Sequence, residues 1–237
     1  MQCPECKSSH INKNGHKKRK QNYICVNCDR QFIDCYETQR NYCEVVKREY
    51  LKMYVNGMRF RGIKRIKNVP TRTIINWVKQ VGKLLPDYYD PQTITDVGEL
   101  DELETFVGSK EQNLATAVDN FKQGILGWVL GDHSGETFAP LWQLVSQWQC
   151  YFDVTDRWKV YPNFIPDGDR VISKVYMTRV EGENTRLTHY FDRLHRQTLC
   201  YSKSEEMLRY SIQLLIHYLK RADVPTPYPN NRNYSPG

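Results

Sequence analysis

No stretch of the 237-residue chain approaches the ~18 consecutive apolar residues that span a bilayer. The N-terminus also lacks the succession of basic, apolar and small residues that marks a signal peptide. These two absences lead to the expectation of a soluble protein retained in the cytoplasm. Collagen-like repeats and low-complexity composition are missing too. With 40% hydrophobic and 26% charged residues, the chain has the material for a packed core. Its length suits one large domain with smaller modules. Acidic residues are scarce at the front: residues 1–80 hold 6 Asp and Glu against 18 Lys and Arg, a balance of +12. Residues 81–237 hold 21 against 16, a balance of −5. A basic front half suits a polyanionic partner, whereas an acidic back half can concentrate carboxylates for metal ions.

Cysteine is nearly absent from the back half, with only Cys150 and Cys200 beyond residue 43. Six of the eight lie in the first 43 residues, four of them as Cys3-Pro4-Glu5-Cys6 and Cys25-Val26-Asn27-Cys28. Two CxxC turns separated by 18 residues have the spacing of a two-knuckle ribbon that holds a tetrahedral zinc ion through Cys3, Cys6, Cys25 and Cys28. A segment this short and polar needs metal binding for its folding energy. A disulfide framework would need the secretory context that is missing. Asn14-Gly15 is a turn signal, and Tyr23, Ile24, Phe32 and Ile33 suit strands around the knuckles. Cys35, Cys43, Cys150 and Cys200 lack ligand spacing and are expected to be packing residues. The basic run Lys17, Lys18, Arg19, Lys20 between the knuckles is a candidate for phosphate contact.

Residues 44–83 read as a helix-turn-helix. Val45, Val46, Tyr50, Leu51, Tyr54 and Val55 recur at helical period, and Asn56-Gly57 ends that helix. A short second helix would turn Ile63 and Ile66 inward. After Asn68-Val69-Pro70, Thr71 is expected to cap a third helix carrying Ile74, Ile75, Trp77, Val78 and Val81. On that helix Arg72, Thr73, Asn76 and Lys79 are the outward candidates for DNA contact; Arg and Asn suit base edges, Lys and Thr phosphate. A small helical bundle with a charged surface is the bland alternative. Residues 84–96 read as a linker.

From residue 97 the pattern becomes that of a mixed α/β sheet. Strands are expected over 97–108, 114–121, 125–130 and 151–155. Helices are expected over 138–148, from about 181 to 196, and along Met207, Leu208, Ile212, Leu215, Ile216 and Leu219. Acids inside or at the end of strands are costly unless something satisfies them. The strongest trio is Asp101, Asp156 and Glu181, which from two strands and a helix could hold two Mg²⁺ ions for in-line displacement at phosphorus. Spacing alone makes this trio weak among 21 acids. Glu102, adjacent to Asp101, is expected on the opposite strand face.

Several stretches of the back half resemble the DDE transposases of the insertion-sequence-one family. They are Asp101-Glu102-Leu103-Glu104-Thr105-Phe106-Val107-Gly108, Thr155-Asp156-Arg157-Trp158-Lys159-Val160-Tyr161 and Val171-Ile172-Ser173-Lys174. Thr178-Arg179-Val180-Glu181-Gly182-Glu183-Asn184-Thr185-Arg186-Leu187 and the run from Arg193 to Ser204 continue the match, with 24 residues between Asp156 and Glu181. The order of a zinc finger, a helix-turn-helix and a catalytic region is also that family's. The resemblance thus covers about residues 1–220. It implies a multidomain chain with a zinc ribbon at 1–43, a helix-turn-helix at 44–83, a linker at 84–96 and a ribonuclease-H-like mixed-sheet catalytic domain at 97–222, while four prolines among residues 225–237 give the expectation of a loosely ordered tail at 223–237. It also implies catalytic and magnesium-binding roles for Asp101, Asp156 and Glu181, with Mn²⁺ as the alternative ion and Zn²⁺ structural. Glu183, two residues on, is the competing third carboxylate. Asn184 and Arg186 match family positions that contact DNA or orient Glu181. Double-stranded DNA as terminal inverted repeats and target, 3′-end cleavage, strand transfer, a homo-oligomer on DNA and a bacterial cytosolic or nucleoid location follow from the same resemblance. Two departures stand out: Glu104 replaces a common aromatic, and Arg157 replaces a frequent Gly. The chain also runs from ribbon to catalytic region without the two-frame fusion common in the family, which favours a complete enzyme. The rival expectations are a non-catalytic sequence-specific DNA-binding regulator, and a zinc-ribbon protein that contacts other proteins and shows no salt-dependent DNA binding.

Overall fold

The computed structural model describes residues 2–3, 5–17, 20–33, 42–88, 95–195 and 202–226, which form two units, Met1–Val46 and Lys47–Gly237. Lys18, Arg19, Cys35, Cys200 and the tail from residue 227 lie outside the described residues.

In the first unit, strands β1 (Ile11–Lys17), β2 (Lys20–Cys25) and β3 (Gln31–Ile33) form an antiparallel sheet in that order. Asn14-Gly15 makes no hairpin turn here. It falls inside β1, where the register with β2 slips between Lys13 and His16, and Gly15 supplies the φ of +66° that this bulge requires. Alternation keeps the small core to Cys3, Cys25 and Phe32, with Ile11 and Tyr23 against it. The cross-strand pair Tyr23 and Phe32 stacks at 6.0 Å. Both CxxC turns close alike: Lys7 N–H donates to Cys3 O and Asp29 N–H to Cys25 O, each at 3.0 Å, with Lys7 and Asp29 in left-handed backbone at φ 60° and 56°.

Three helices come next: α1 (Glu44–Val55), most of it in the second unit, α2 (Phe60–Lys67) and α3 (Thr71–Gly82). Tyr50, Leu51, Tyr54 and Val55 of α1 are buried, as are Ile63, Ile74, Trp77, Val78 and Val81, and the Tyr50 and Trp77 rings lie 6.1 Å apart. Ile66, expected inward, is 63% exposed, because α2 is only eight residues long and Ile63 alone fills its buried stripe. Thr71 does not cap α3; Pro70 precedes the helix with no side-chain cap, and its fixed φ of −58° starts the turn instead.

A five-stranded sheet follows in the order β6 (Ile125–Gly131), β5 (Lys110–Asp119), β4 (Val97–Val107), β7 (Phe152–Thr155), β8 (Arg170–Ile172). The first three are antiparallel; β7 and β8 run parallel to β4. Helix α4 (Gly135–Val145) covers one face, burying Phe138, Leu141 and Leu144 against Leu100, Ala117 and Leu126. Helix α5 (Thr178–Tyr190) packs against β4 and β5. It starts earlier than the periodicity indicates and ends at Tyr190, six residues before position 196, where the buried ring and extended backbone of Phe191 break the helix.

Helix α6 (Glu205–Arg221) ties α1–α3 to the sheet. Tyr54 and Ser211 hydroxyls lie 2.6 Å apart, Lys79 pairs with Glu206, and Gly82 abuts Tyr210 so closely that an added Cβ would fall 2.4 Å from the ring. On its other side Arg209 lies over Trp128 of β6 at 5.8 Å. Residues 47–83 fall in the same unit as the sheet.

Candidate metal centres and the cleft around them

The four cysteines of the paired turns converge, with all four sulfurs within 4.8 Å of one another. Cys3 and Cys28 Sγ atoms are 3.6 Å apart, and Cys6 and Cys25 3.5 Å. A disulfide needs about 2.05 Å, whereas four thiolates at 2.3 Å from a tetrahedral ion lie about 3.8 Å apart. The donor set and spacing therefore fit a tetrahedral thiophilic ion. Burial pushes the Cys3 thiol up, but backbone hydrogen bonds from Cys6 and Glu5 outweigh it and hold Cys3 at about 7. Against a backbone bond from Arg30, the neighbouring thiols and burial push Cys28 up to about 12. The Cys28 thiol thus resists ionisation beside its neighbours without a cation among them.

The sheet builds a second cluster. Parallel pairing sets Leu100 opposite Thr155, so the next residues, Asp101 and Asp156, emerge side by side where β7 ends. Their carboxylates and that of Glu102 lie within 4.8 Å of one another. Glu102 was expected on the opposite face, and its backbone does alternate that way: Leu100, two residues back, packs beside Tyr161, whose hydroxyl feels the Glu102 charge. Beyond Leu100, however, β4 has no β7 partner, and the longer side chain reaches back to the cluster at this open edge. Glu102 Oε1 is buried with no hydrogen-bond partner among the described residues.

Each aspartate is oriented. Asn184 of α5 donates through Nδ2 to Asp101 Oδ2 at 2.9 Å, while its own Oδ1 accepts from Thr116 Oγ1 at 2.9 Å. Asn184 therefore positions Asp101 rather than Glu181. Asp156 Oδ1 accepts from Trp158 N–H at 2.7 Å. Burial raises the Asp101 carboxyl to about 6 against the Asn184 bond, and the Asp156 and Glu181 charges add to it. Burial pushes Glu102 up to about 8 against the Tyr161 hydroxyl beside it, with the Asp156 and Asp101 charges adding. Proton uptake on this scale is the response of carboxylates crowded without a countercharge.

Glu181 stands outside the 4.8 Å group, exposed in the first turn of α5, and lines a cavity with Asp101, Glu102 and Asn184. Glu183 faces elsewhere: it is buried, accepts from Gly124 N–H at 3.0 Å in the β5–β6 turn and pairs with Arg186 at 3.5 Å. The α5 position rests on Glu99, a fully buried residue that the sequence reading passed over. Its Oε1 accepts from Asn120 Nδ2, and its Oε2 accepts from Val180 N–H at 2.8 Å, capping α5 from the sheet. The only signal for it in the sequence was an acid at strand spacing from Asp101. On the other side of the acids, a second cavity is lined by Asp156, Arg157, His133, Trp158, Ser173 and Lys174.

Of the remaining candidates, Arg72 and Asn76 are exposed one turn apart on α3, and Thr73 is half-buried. Lys79 is engaged by Glu206. Lys17 closes β1 opposite Lys20.

Residues 95–222 match the family described as IS1 transposase. Insertion element IS1 protein InsB of Shigella sonnei is 32% identical over 123 residues, which cover 51% of this chain and 92% of that protein. Insertion element IS1 9 protein InsB of Escherichia coli K12 has the same identity over 123 residues, 72% of its length, as does the InsB protein of Haemophilus ducreyi. The family match contains every carboxylate of the sheet cluster and Glu181, while the four cysteines and α1–α3 precede it. The chain belongs to the IS1 transposase family.

Proposed function

We propose that the protein is a transposase that binds the terminal inverted repeats of an insertion element and catalyses metal-dependent DNA cleavage and strand transfer. One observation carries this reading: adjacent parallel strands deliver Asp101 and Asp156 to one point, with Glu102 between them and Glu181 across the adjoining cavity. Three antiparallel strands followed by two parallel ones, with helices against the sheet, support a ribonuclease-H-like domain. Asp101, Asp156 and Glu181 are the proposed catalytic ligands of Mg²⁺ or Mn²⁺, and the orphaned Glu102 oxygen supplies a fourth donor. Such ions activate an attacking hydroxyl and neutralise charge at the leaving oxygen.

The chain's own groups do the rest. Asn184 fixes the Asp101 carboxylate and Trp158 N–H that of Asp156, so neither reorganises when substrate arrives. Arg157 and Lys174 line the cleft beside them and bind the scissile phosphodiester. Water attacks phosphorus at the element end and frees a 3′-hydroxyl, which then attacks a phosphodiester of the target. Joining two ends calls for more than one subunit, so a homo-oligomer acts on DNA. The cysteine unit holds structural Zn²⁺ through Cys3, Cys6, Cys25 and Cys28. Helices α2 and α3 act as a helix-turn-helix, with Arg72, Thr73 and Asn76 toward DNA; Lys79 instead secures α6. Lys17, Lys18 and Arg19 contribute phosphate contacts.

The decisive experiment is Mg²⁺-dependent nicking of duplexes carrying the element's ends, comparing wild type with Asp156→Ala, Glu181→Ala and Glu183→Gln. Cutting lost in the first two with binding retained, and kept in the third, supports the assignment. Binding without wild-type cutting in either Mg²⁺ or Mn²⁺ identifies a DNA-binding regulator instead.

A further inference from the structure

A groove of about 640 Å³ runs between the α1–α2 turn, α3 and the residues just before α6. Its wall holds four cations, Arg59, Arg61, Arg193 and Lys203, against one carboxylate, Asp192, which Arg59 already engages at 3.1 Å. Arg193 is unusually well fixed. Its guanidinium lies 5.2 Å from the ring centre of Tyr54, 5.7 Å from Phe60 and 5.3 Å from Phe191, and its carbonyl accepts from Thr105 of β4. Among the described residues no carboxylate pairs with it. A cation held by three rings keeps its direction and loses little entropy on binding, and a guanidinium fork matches phosphate oxygens. Ser202 and Ser204 line the same groove.

What the groove adjoins says what kind of anion suits it. Thr71 and Ile75 of α3 line it. From Arg193 the chain continues into Leu194 and His195, which wall the cavity holding Asp101 and Glu181. Ser202 bridges to Val107, six residues along β4 from Asp101. At strand spacing that is ~20 Å, roughly six base pairs of duplex. A small anion would not need such a track; a polymer of phosphates would.

We propose that this groove, through Arg193 and Lys203, binds the phosphodiester backbone of the DNA between the segment contacted by α3 and the scissile bond. The proposal rests on the transposase reading, and the test separates the two. Binding of full-length protein to a labelled 30-base-pair duplex of arbitrary sequence is measured by anisotropy across a salt series, for wild type, Arg193→Gln and Lys203→Gln. Each variant is expected to weaken binding several-fold near physiological salt and to reduce the slope of log K against log[salt] by about 1, the loss of one phosphate contact. A purely structural Arg193 would lower the melting temperature and leave the slope alone. Lys203 is exposed, so its variant keeps the test valid if Arg193→Gln does not fold. Wild-type slopes in both folded variants, or in folded Lys203→Gln alone, overturn the groove and leave DNA binding standing. A wild type with no salt-dependent DNA affinity overturns the transposase reading and the groove together.

Discussion

Asp153 is 5% exposed, with Oδ1 buried and unpartnered, and lies so close to Gly98 that a Cβ there would fall 2.5 Å from that oxygen. Burial, with the Asp169 charge adding, raises its carboxyl from 3.8 to about 6. Between those values the native protein holds a proton that the unfolded chain has released, so stability falls as pH rises from about 4 through 6. Asp153→Asn is expected to remove that slope and to stabilise the protein by the order of 2 kcal/mol at pH 8, read from urea midpoints at several pH values. Asn184 carries a different expectation. Asn184→Ala frees Asp101 and leaves the Thr116 hydroxyl only its longer bond to Asp101 O at 3.4 Å. Mn²⁺ affinity, measured by calorimetry, is expected to fall 10- to 100-fold while the fold is kept. That Asp101 and Asp156 come together follows the expected strand ends, while Glu181 lies on the adjoining cavity. The sequence named Asn184 without its Asp101 partner and put Glu102 on the opposite face, because those partners depend on where β7 stops and how α5 is rotated, and no local pattern records either.

At the scale of elements, the strands and helices with strong alternation or helical period were legible: β4, β5, β6, α1, α3, α4 and α6 all lie close to their expected positions. Short β7 also lies close to its expected position, but β8 was not foreseen. Strand β8 has three residues, too few for a period, and it is a strand because β7 offers it a parallel edge. The true start of α5 is fixed by Glu99 across the sheet rather than by a residue of the helix itself. Glu99→Ala leaves Val180 N–H and the Asn120 amide unpaired in a buried place, which is expected to cost about 2–4 kcal/mol. Denaturant unfolding measures that loss, and the Glu181 register makes cleavage fall with it.

At the scale of the molecule, the two units differ in what holds them together. Among its described residues the cysteine unit buries only Cys3, Cys25 and Phe32 as a hydrophobic core, far too little to offset chain entropy without a metal ion. The second unit has the α4 face of the sheet and the α1–α3 core of its own. Chelation at neutral pH is therefore expected to abolish the β1–β3 signals in an amide-resolved spectrum and leave those of residues 47–226 in place, with the melting temperature of the second unit unchanged. Helix α6 has a consequence of another kind. Because Glu206, Tyr210 and Ser211 clamp α1 and α3 while Arg209 grips β6, the helix proposed to read sequence and the acids proposed to cut are parts of one rigid gauge. Such a gauge sets the break at a constant number of nucleotides from the sequence it reads, and extra residues inserted between α3 and β4 would loop out without resetting that number.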